Sequence, residues 1–316
     1  MKQTRKYFSL LLILCLICPF FGMTACKTQE KKDGTVPITD DLGRTVSVPQ
    51  SPRRVVALLG SFADIWVLSG GTLSAAPVDA WEDFGHSLEN AVNLGGAHSP
   101  NAELLLASAP DLVLASASST SNLALQSLLE SAGIAVLYFD VDNFEDYLHM
   151  LDVCTDLTGR KDLYTQNGLQ VQRAIQTVKE DFAKQQIPQE ERKILLLRVS
   201  STTVKAKGSA GTILGEILCD MGCVNLADNN KNLLETLSVE QILAEQPYRI
   251  FAVTMGNDPA AAQAALENLL RENPAWASLS AVRENRVHVM NKQLFNLKPN
   301  ARWAEAYGVV YEILTK

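Results

Sequence analysis

Short apolar runs alternate with segments of helical apolar spacing along most of the chain. The expected strands lie at 54–59, 112–115, 135–140, 193–200, 249–253 and 286–290. Helical spacing fills the intervals between them, and a final amphipathic helix is expected over residues 301–314. Strands that alternate with helices form mostly parallel sheets covered by helices. The pattern therefore predicts an α/β fold with two Rossmann-like lobes.

One long helix is predicted between the two sets of strands. Residues 161–186 contain no proline and a single glycine, Gly168, and their apolar residues recur at helical spacing up to Pro188. At 1.5 Å per residue such a helix is about 39 Å long, which is enough to cross a domain. We expect a rigid connection between the lobes, because a helix permits less relative movement than a loop. The expected divisions are an N-terminal lobe at 36–158, a linking helix at 159–188 and a C-terminal lobe at 189–316.

The chain also contains an internal repeat. In one register, Glu103, Leu106, Ala107, Pro110 and Val113 align with Glu240, Leu243, Ala244, Pro247 and Ile250. Each copy predicts a short helix with an early glutamate, a proline break and a strand. Since each predicted lobe holds one copy, the repeat favours pseudo-symmetry between the lobes.

The N-terminus has the features of an export signal. Three basic residues precede the mostly apolar segment 8–21, which is shorter than the roughly 20 residues of a membrane span. The following Met23-Thr24-Ala25-Cys26 resembles a bacterial lipobox, which makes residues 1–26 a lipoprotein signal peptide and Cys26 the acylated first residue of the mature chain. A plain signal peptide cleaved nearby is the alternative. The polar residues 27–35 suit a flexible tether, so we expect an extracytoplasmic protein anchored by lipid at a cell surface or in a periplasm.

Charge and rare residues exclude several classes of function. The formal net charge is −7, and no basic cluster indicates nucleic-acid binding. The four histidines are scattered, so no metal site and no cofactor are expected. No Ser–His–acid motif or glycine-rich phosphate loop is present, so no catalytic residues are expected either. Three cysteines follow the lipobox, Cys154, Cys219 and Cys223. Small buried side chains are the expected role of Cys219 and Cys223, and a zinc site is the alternative.

Several segments together are similar to a known family. They include ITDDLGRTVSVP at 38–49 and NPAWASLSAVRENRV at 273–287, with shorter matches at 52–58, 100–103, 109–113, 207–209 and 221–225. In order and spacing they resemble the Fe³⁺-siderophore, haem and cobalamin substrate-binding proteins of ABC importers, over almost all of residues 36–316. The resemblance implies two α/β lobes bridged by one rigid helix, with the ligand between the lobes. It also implies capture of a siderophore-bound iron, haem or corrinoid for delivery to a permease dimer and its ATPase. A zinc or manganese importer component and an enzyme on this scaffold are the alternatives.

Candidate ligand contacts follow from where parallel strands end, because ligands of such folds bind at the carboxyl ends of strands. The candidates are Ser61, Phe62, Trp81, His98, Arg198, Thr202, Met255, Phe295 and Asn296. Trp81 matches an aromatic ligand contact of the family's cobalamin binder. Gly96 stands where the haem-importing branch commonly has tyrosine, which disfavours haem ligated by tyrosine and leaves His98 as a possible iron ligand. Arg198 either pairs with an anionic ligand or projects elsewhere, and Arg302 faces either the cleft or solvent.

The two repeated glutamates have a separate implied role. Glu103 and Glu240 match the family's exposed carboxylates that dock into basic pockets of the permease subunits. The alternative is that each only stabilises the N-terminus of its helix.

Overall fold

The computed structural model describes residues 34–256 and 258–316. The predicted signal peptide and Cys26 lie outside the described residues. The strands of the first lobe are β3 (Val55–Ala57), β4 (Leu73–Ala76), β5 (Val92–Asn93), β6 (Leu112–Ser116) and β7 (Ala135–Phe139). They form one sheet in the order β5-β4-β3-β6-β7, with every neighbouring pair parallel. The helices of this lobe are α1 (Gly60–Leu68), α2 (Asp79–Glu82), α3 (Ala102–Ala107), α4 (Thr120–Leu123), α5 (Gln126–Ser131) and α6 (Phe144–Thr158).

An antiparallel hairpin precedes this sheet and is fixed to it by polar contacts. The hairpin consists of β1 (Thr35–Thr39) and β2 (Thr45–Pro49). At its turn, Arg44 Nη2 lies 2.6 Å from the buried Asp40 Oδ2 and donates to the Val136 carbonyl at 2.9 Å. The Tyr138 N–H donates to the same Asp40 carboxylate. Because Val136 and Tyr138 belong to β7, the ion pair connects the hairpin to the edge of the sheet.

The strands of the second lobe are β8 (Lys193–Val199), β9 (Val204–Ala206), β10 (Val224–Asn225), β11 (Arg249–Thr254) and β12 (Val287–Met290). Four of them form a parallel sheet in the order β10-β8-β11-β12. The short strand β9 pairs with β8 in the antiparallel direction. The helices are α9 (Ile213–Asp220), α10 (Lys231–Thr236), α11 (Val239–Glu245), α12 (Pro259–Glu272), α13 (Pro274–Ala277), α14 (Ser280–Arg283), α15 (Lys292–Phe295) and α16 (Trp303–Leu314).

A single helical segment joins the lobes. It consists of α7 (Lys161–Tyr164), a π-helical turn (Thr165–Leu169) and α8 (Gln170–Ala183), about 34 Å in all at 1.5 Å per residue. It ends at Ala183, slightly before the end that the sequence predicts. A Cβ atom at Gly168 would lie 2.9 Å from Leu148 Cδ2, so this glycine lets the π-helical turn pack closely against α6. At the other end, Phe182 packs edge-on against Tyr311 of α16.

The lobes and their connection form an α/β fold of the class that the sequence predicts. Both sheets are covered by helices, and their apolar residues form the core. No helix in residues 34–256 and 258–316 combines the length and the apolar character needed to cross a membrane.

Candidate ligand-binding cleft

The first wall of the cleft is formed by the loops that follow β3 and β4. Helix α1 begins at Gly60, and the Gly60 N–H donates to Asp79 Oδ2 at 2.9 Å. A Cβ atom at Gly60 would lie 2.7 Å from that oxygen and 2.8 Å from the Ala80 nitrogen, so only glycine fits. Burial raises the pKa of Asp79, and the bond from Gly60 partly opposes this shift. The two loops are therefore held together by this hydrogen bond and by the close approach of Gly60 to Asp79 and Ala80.

The second wall is formed by the loops that follow β11 and β12. Met255 comes directly after β11 and is 38% exposed. Asn291 caps α15, since its Oδ1 accepts hydrogen bonds from the Gln293 and Leu294 N–H groups at 2.8 and 3.2 Å. Because the cap fixes α15 directly after β12, Lys292 is held at the carboxyl end of the sheet.

An ion pair connects the two walls. Lys292 Nζ lies 2.9 Å and 3.0 Å from the two carboxylate oxygens of Asp83 in the first lobe. A cavity of about 550 Å³ lies beside this pair, and both lobes line it. Its lining includes Glu82, Asp83, Thr254, Gly256, Met290 and Gln293. The cavity therefore lies where the carboxyl ends of strands in the two lobes face each other.

A second group of polar contacts lies beside the first. The side chain of Asn300 is buried, and its Nδ2 donates to the Ser61 carbonyl at 2.9 Å and to Asp64 Oδ2 at 2.7 Å. Lys298 donates to the Val141 carbonyl and lies 3.8 Å from Asp142. Burial lowers the pKa of Lys298, an effect that Asp142 opposes. These contacts hold the lobes together around the cleft.

Two predicted ligand contacts are core residues instead. Phe62 has no exposed surface and packs edge-on against Phe139 at 6.4 Å between ring centroids. Phe295 is also buried in the apolar core. Both predictions are wrong for this structure, because position after a strand does not decide which way a side chain points. Ser61 is nearly buried as well, and its carbonyl accepts the hydrogen bond from Asn300.

The other predicted contacts are more accessible to solvent, but they do not all line the same hollow. Trp81 is half-buried and lines a hollow of about 690 Å³ with His86 and Leu88. Thr202 is exposed and lines a different hollow, of about 710 Å³, beside α12. His98 lies exposed on the loop after β5, and Asn296 is half-buried after α15.

Arg198 and Arg302 have different surroundings. Arg198, at the end of β8, lines a small hollow with Lys207, Thr212 and Phe295. Burial lowers its pKa. Arg302 makes two 2.7 Å hydrogen bonds to Glu305 in the first turn of α16, which raise its pKa, and it also lines a cavity of about 210 Å³ next to Lys298.

Glu103 and Glu240 occupy matching positions in the two lobes. Each is exposed and is the second residue of a short helix, α3 or α11. The strand that follows α3 is β6, which pairs with β3, and the strand that follows α11 is β11, which pairs with β8. In the described part of the chain neither glutamate has an ion pair, so both carboxylates face solvent.

Lys292, Asp83, Lys298 and Asn300 were not among the predicted site residues. Asp83 and Lys292 are separated by 209 positions, and no local pattern connects them. Asn300 has a positive φ of 53° and begins a short 3-10 helix, Asn300–Arg302, that leads into α16. Residues 34–256 and 258–316 contain no group of three His, Cys, Asp or Glu side chains that could hold a metal ion, so the zinc or manganese alternative has no structural support.

Comparison with known proteins agrees with this architecture. A family profile described as periplasmic binding protein matches residues 55–294. The chain belongs to this family. Its members are solute-binding proteins of ABC transporters, and the chain is therefore a binding protein and not an enzyme.

Individual relatives show how far the similarity extends. The Fe(3+)-citrate-binding protein YfmC of Bacillus subtilis is 24% identical over 291 residues, which cover 89% of this chain and 87% of YfmC. The structure of Staphylococcus aureus IsdE complexed with heme matches with a TM-score of 0.68 and 17% identity over 83% of this chain and 99% of IsdE. The periplasmic vitamin B12 binding protein BtuF of Vibrio cholerae has a TM-score of 0.68 and 19% identity over 84% of this chain and 98% of BtuF. At these identities the two structures support the fold.

Proposed function

We propose that this protein is the lipid-anchored receptor of an ABC importer. It captures an iron complex, as a ferric chelate or haem, or a corrinoid in the cleft between its lobes. It then delivers the ligand to a permease dimer, whose ATPase drives uptake. The protein acts outside the cytoplasm, held at the membrane by a lipid on Cys26.

The interlobe cavity is the observation that carries this proposal. It is lined by loops from both lobes, and its volume of about 550 Å³ suits a small ligand. The relatives with the same architecture are named for ferric citrate, haem and vitamin B12, which are all metal chelates. Trp81, next to Glu82, and Met255, between Thr254 and Gly256, flank the lining of this cavity and are the contacts proposed there. Ser61, His98, Arg198, Thr202 and Asn296 remain proposed contacts elsewhere on the loops of the two lobes.

Intrinsic fluorescence tests the ligand class. Trp66, Trp276 and Trp303 are almost fully buried, whereas Trp81 is half-buried in its hollow. We expect saturable quenching by one of ferric citrate, a ferric hydroxamate, haemin or cyanocobalamin, and we expect Trp81→Phe to remove most of the signal. Calorimetry then measures the ligand affinity of the Trp81→Phe variant. An unchanged affinity means that the variant has lost only the fluorescent side chain, and a reduced affinity means that Trp81 contributes to binding. If none of these ligands binds the purified protein, the proposed function is wrong.

Cell fractionation tests the anchor. Cys26→Ser removes the proposed acylation site, and we expect the variant to leave the membrane fraction, because a protein without its acyl chains loses the apolar contact with the bilayer. Cys219→Ser is the matched control, since Cys219 is an exposed free cysteine of the second lobe and not the buried side chain that the sequence predicts. A Cys26→Ser protein that stays at the membrane would contradict the lipid anchor.

A further inference from the structure

A loop of the first lobe lines two different hollows. It consists of residues 83–91, which join α2 to β5 and contain no helix or strand. We propose that the 83–91 loop is a lid on the interlobe cavity, and that the ion pair between Asp83 and Lys292 is its latch. This inference rests on the proposed function, because it describes how a ligand enters and leaves that cavity.

The lobes themselves are held together at places outside this loop. Asn300 of the second lobe donates to the Ser61 carbonyl at 2.9 Å. Lys298 donates to the Val141 carbonyl, and the linking helix joins the lobes at a third place. Separation of the lobes would break these contacts, whereas movement of one loop leaves them intact. A loop at the cavity is therefore the part that moves when a ligand enters.

The 83–91 loop has space into which it can move. Asp83 lines the interlobe cavity, and the rest of the loop lines the hollow of about 690 Å³ that contains His86 and Leu88. All residues around this hollow belong to α2, the loop itself or β5. The loop can therefore fold into the hollow without displacing another element. Gly85 is a suitable hinge, because its φ is 66° and a Cβ atom there would have no neighbour within 4 Å.

Two side-chain ion pairs hold the loop in its observed position. Lys292 Nζ lies 2.9 and 3.0 Å from the two carboxylate oxygens of Asp83, and 24% of the lysine side chain and 17% of the aspartate side chain are exposed. His86 Nε2 lies 2.9 Å from Asp64 Oδ1 of α1. Only the pair with Lys292 reaches the second lobe directly, so this pair closes the loop over the cavity.

Little else fixes the loop. In the described part of the chain, its backbone is hydrogen-bonded only within residues 79–91. Leu88 packs against the core but is only half-buried. Segments with few buried apolar contacts and few external hydrogen bonds open at a small cost in free energy. The Asp83–Lys292 pair is therefore a large part of what keeps the loop closed.

A second carboxylate lies close to Lys292. Within residues 34–256 and 258–316, Asp79 Oδ1 is buried and has no hydrogen-bond partner. Burial raises the pKa of Asp79, and Asp83 raises it further while Lys292 lowers it, so the three charged groups lie near one another. Lys292 can therefore pair with Asp79 when it leaves Asp83. This second partner makes opening easier, because the ammonium group is not left without a counterion.

Hydrogen–deuterium exchange of the ligand-free protein tests the latch. Lys292→Gln removes the ion pair, and we expect the amides of residues 84–91 to exchange about two- to fivefold faster than in the wild type, as expected for a partly exposed pair. Exchange in the core strand β6 should stay unchanged, which distinguishes an open loop from general unfolding.

Charge reversal and a matched control complete this test. Asp83→Lys alone should also speed exchange in the loop, because it places two lysines opposite each other. The double variant Asp83→Lys with Lys292→Asp restores opposite charges and should restore slow exchange. Lys179→Gln is the control, because it removes the same charge and breaks a 2.7 Å ion pair with Asp220 at the far end of α9. It should leave the loop as it is in the wild type.

Stopped-flow quenching of tryptophan fluorescence by ferric citrate, haemin and cyanocobalamin tests the lid. We expect Lys292→Gln to raise the association and dissociation rate constants by a similar factor, so that Kd changes little. The inference is overturned if exchange in the loop does not change, or if only dissociation becomes faster, which would make Lys292 a ligand contact. Binding of no probe contradicts the receptor function, whereas the exchange measurement still decides whether the ion pair holds the loop.

Discussion

At Gly60 the loop after β3 lies in close contact with the residues that follow β4. A methyl group there would overlap Asp79 Oδ2 and the Ala80 nitrogen, and the backbone atom cannot move aside easily. We therefore expect Gly60→Ala to lower the free energy of unfolding by about 1–3 kcal/mol, as measured by urea denaturation followed by circular dichroism.

Gly308→Ala is the matched control for this prediction. Gly308 lies inside α16, and a Cβ atom there has no neighbour within 4 Å. Alanine favours a helix over glycine by about 0.5–1 kcal/mol, so this variant should be as stable as the wild type or more stable. Equal losses in both variants would contradict the close approach at Gly60.

His288 predicts a pH dependence of stability. Its ring packs on Phe251 at 5.3 Å, and burial, together with the nearby Arg249, lowers its pKa. As the pH falls through the ordinary histidine range, the unfolded chain binds a proton that the folded chain does not, so this group lowers stability at acid pH. Between pH 7 and pH 5 the wild type should lose more unfolding free energy than His288→Gln does.

The control for His288 is the exposed loop residue His98. His98→Gln should keep the wild-type difference in unfolding free energy between the two pH values. If His288→Gln behaves like His98→Gln, the neutral state of His288 in the fold is not the source of the effect.

For single residues, the sequence predicts which positions follow a strand better than it predicts where their side chains point. Position after a strand selected Met255 and His98, which are exposed, but it also selected Phe62 and Phe295, which are buried. Whether a residue beyond a strand faces a cleft or the core depends on the helix that follows, and its first turn sends neighbouring side chains in different directions.

At the scale of elements, the short helices α3 and α11 present Glu103 and Glu240. We expect Glu103→Ala and Glu240→Ala each to reduce cellular uptake while ligand affinity stays unchanged, and the double variant to abolish most uptake. A lost partner of a charged pair in an interface costs about 2–5 kcal/mol, which explains the loss of delivery. The measurement is ligand titration beside uptake of labelled ligand for the same variants.

Glu245→Ala is the control for this pair, since Glu245 is exposed at the other end of α11. It should leave both uptake and affinity unchanged. If ligand affinity falls together with uptake in the Glu103 and Glu240 variants, the two glutamates contact the ligand and not the permease. If neither affinity nor uptake changes, the glutamates only stabilise the N-termini of their helices.

Helices could be predicted from the sequence where the helical spacing of apolar residues is long or where a segment is repeated. The helical spacing over residues 161–186 predicts the segment that the structure shows from Lys161 to Ala183, and the repeat predicts α3 and α11. The π-helical turn was not predicted, because one wide turn changes the apolar spacing too little to be visible. The two-residue strands β5 and β10 were also missed, since so short a strand shows no alternation.

At the scale of the whole molecule, the linking helix and the polar contacts between the lobes restrict domain motion. We expect the radius of gyration from small-angle X-ray scattering to change within experimental error when a ligand saturates the protein. The helix packs against α6 at one end and α16 at the other, so closure would require these contacts to break. A contraction as large as that of a binding protein with a flexible loop hinge would contradict this prediction.

The contacts between the two walls of the cleft could not be predicted from the sequence. Lys292 with Asp83, and Asn300 with Ser61, join residues more than 200 positions apart. Such pairs form only when the two folded lobes pack together, and no local pattern in a single sequence indicates which residues will meet. The fold class was predictable because strand and helix periodicities are local properties.

The linking helix also has a consequence for competition at the permease. If it fixes the distance between Glu103 and Glu240, the empty receptor presents the same pair of carboxylates as the loaded receptor. Empty receptors then occupy permeases without delivering anything. Uptake at scarce ligand should therefore rise with receptor abundance only to an optimum and then decline, so the ratio of receptors to permeases becomes a quantity that the cell has to regulate.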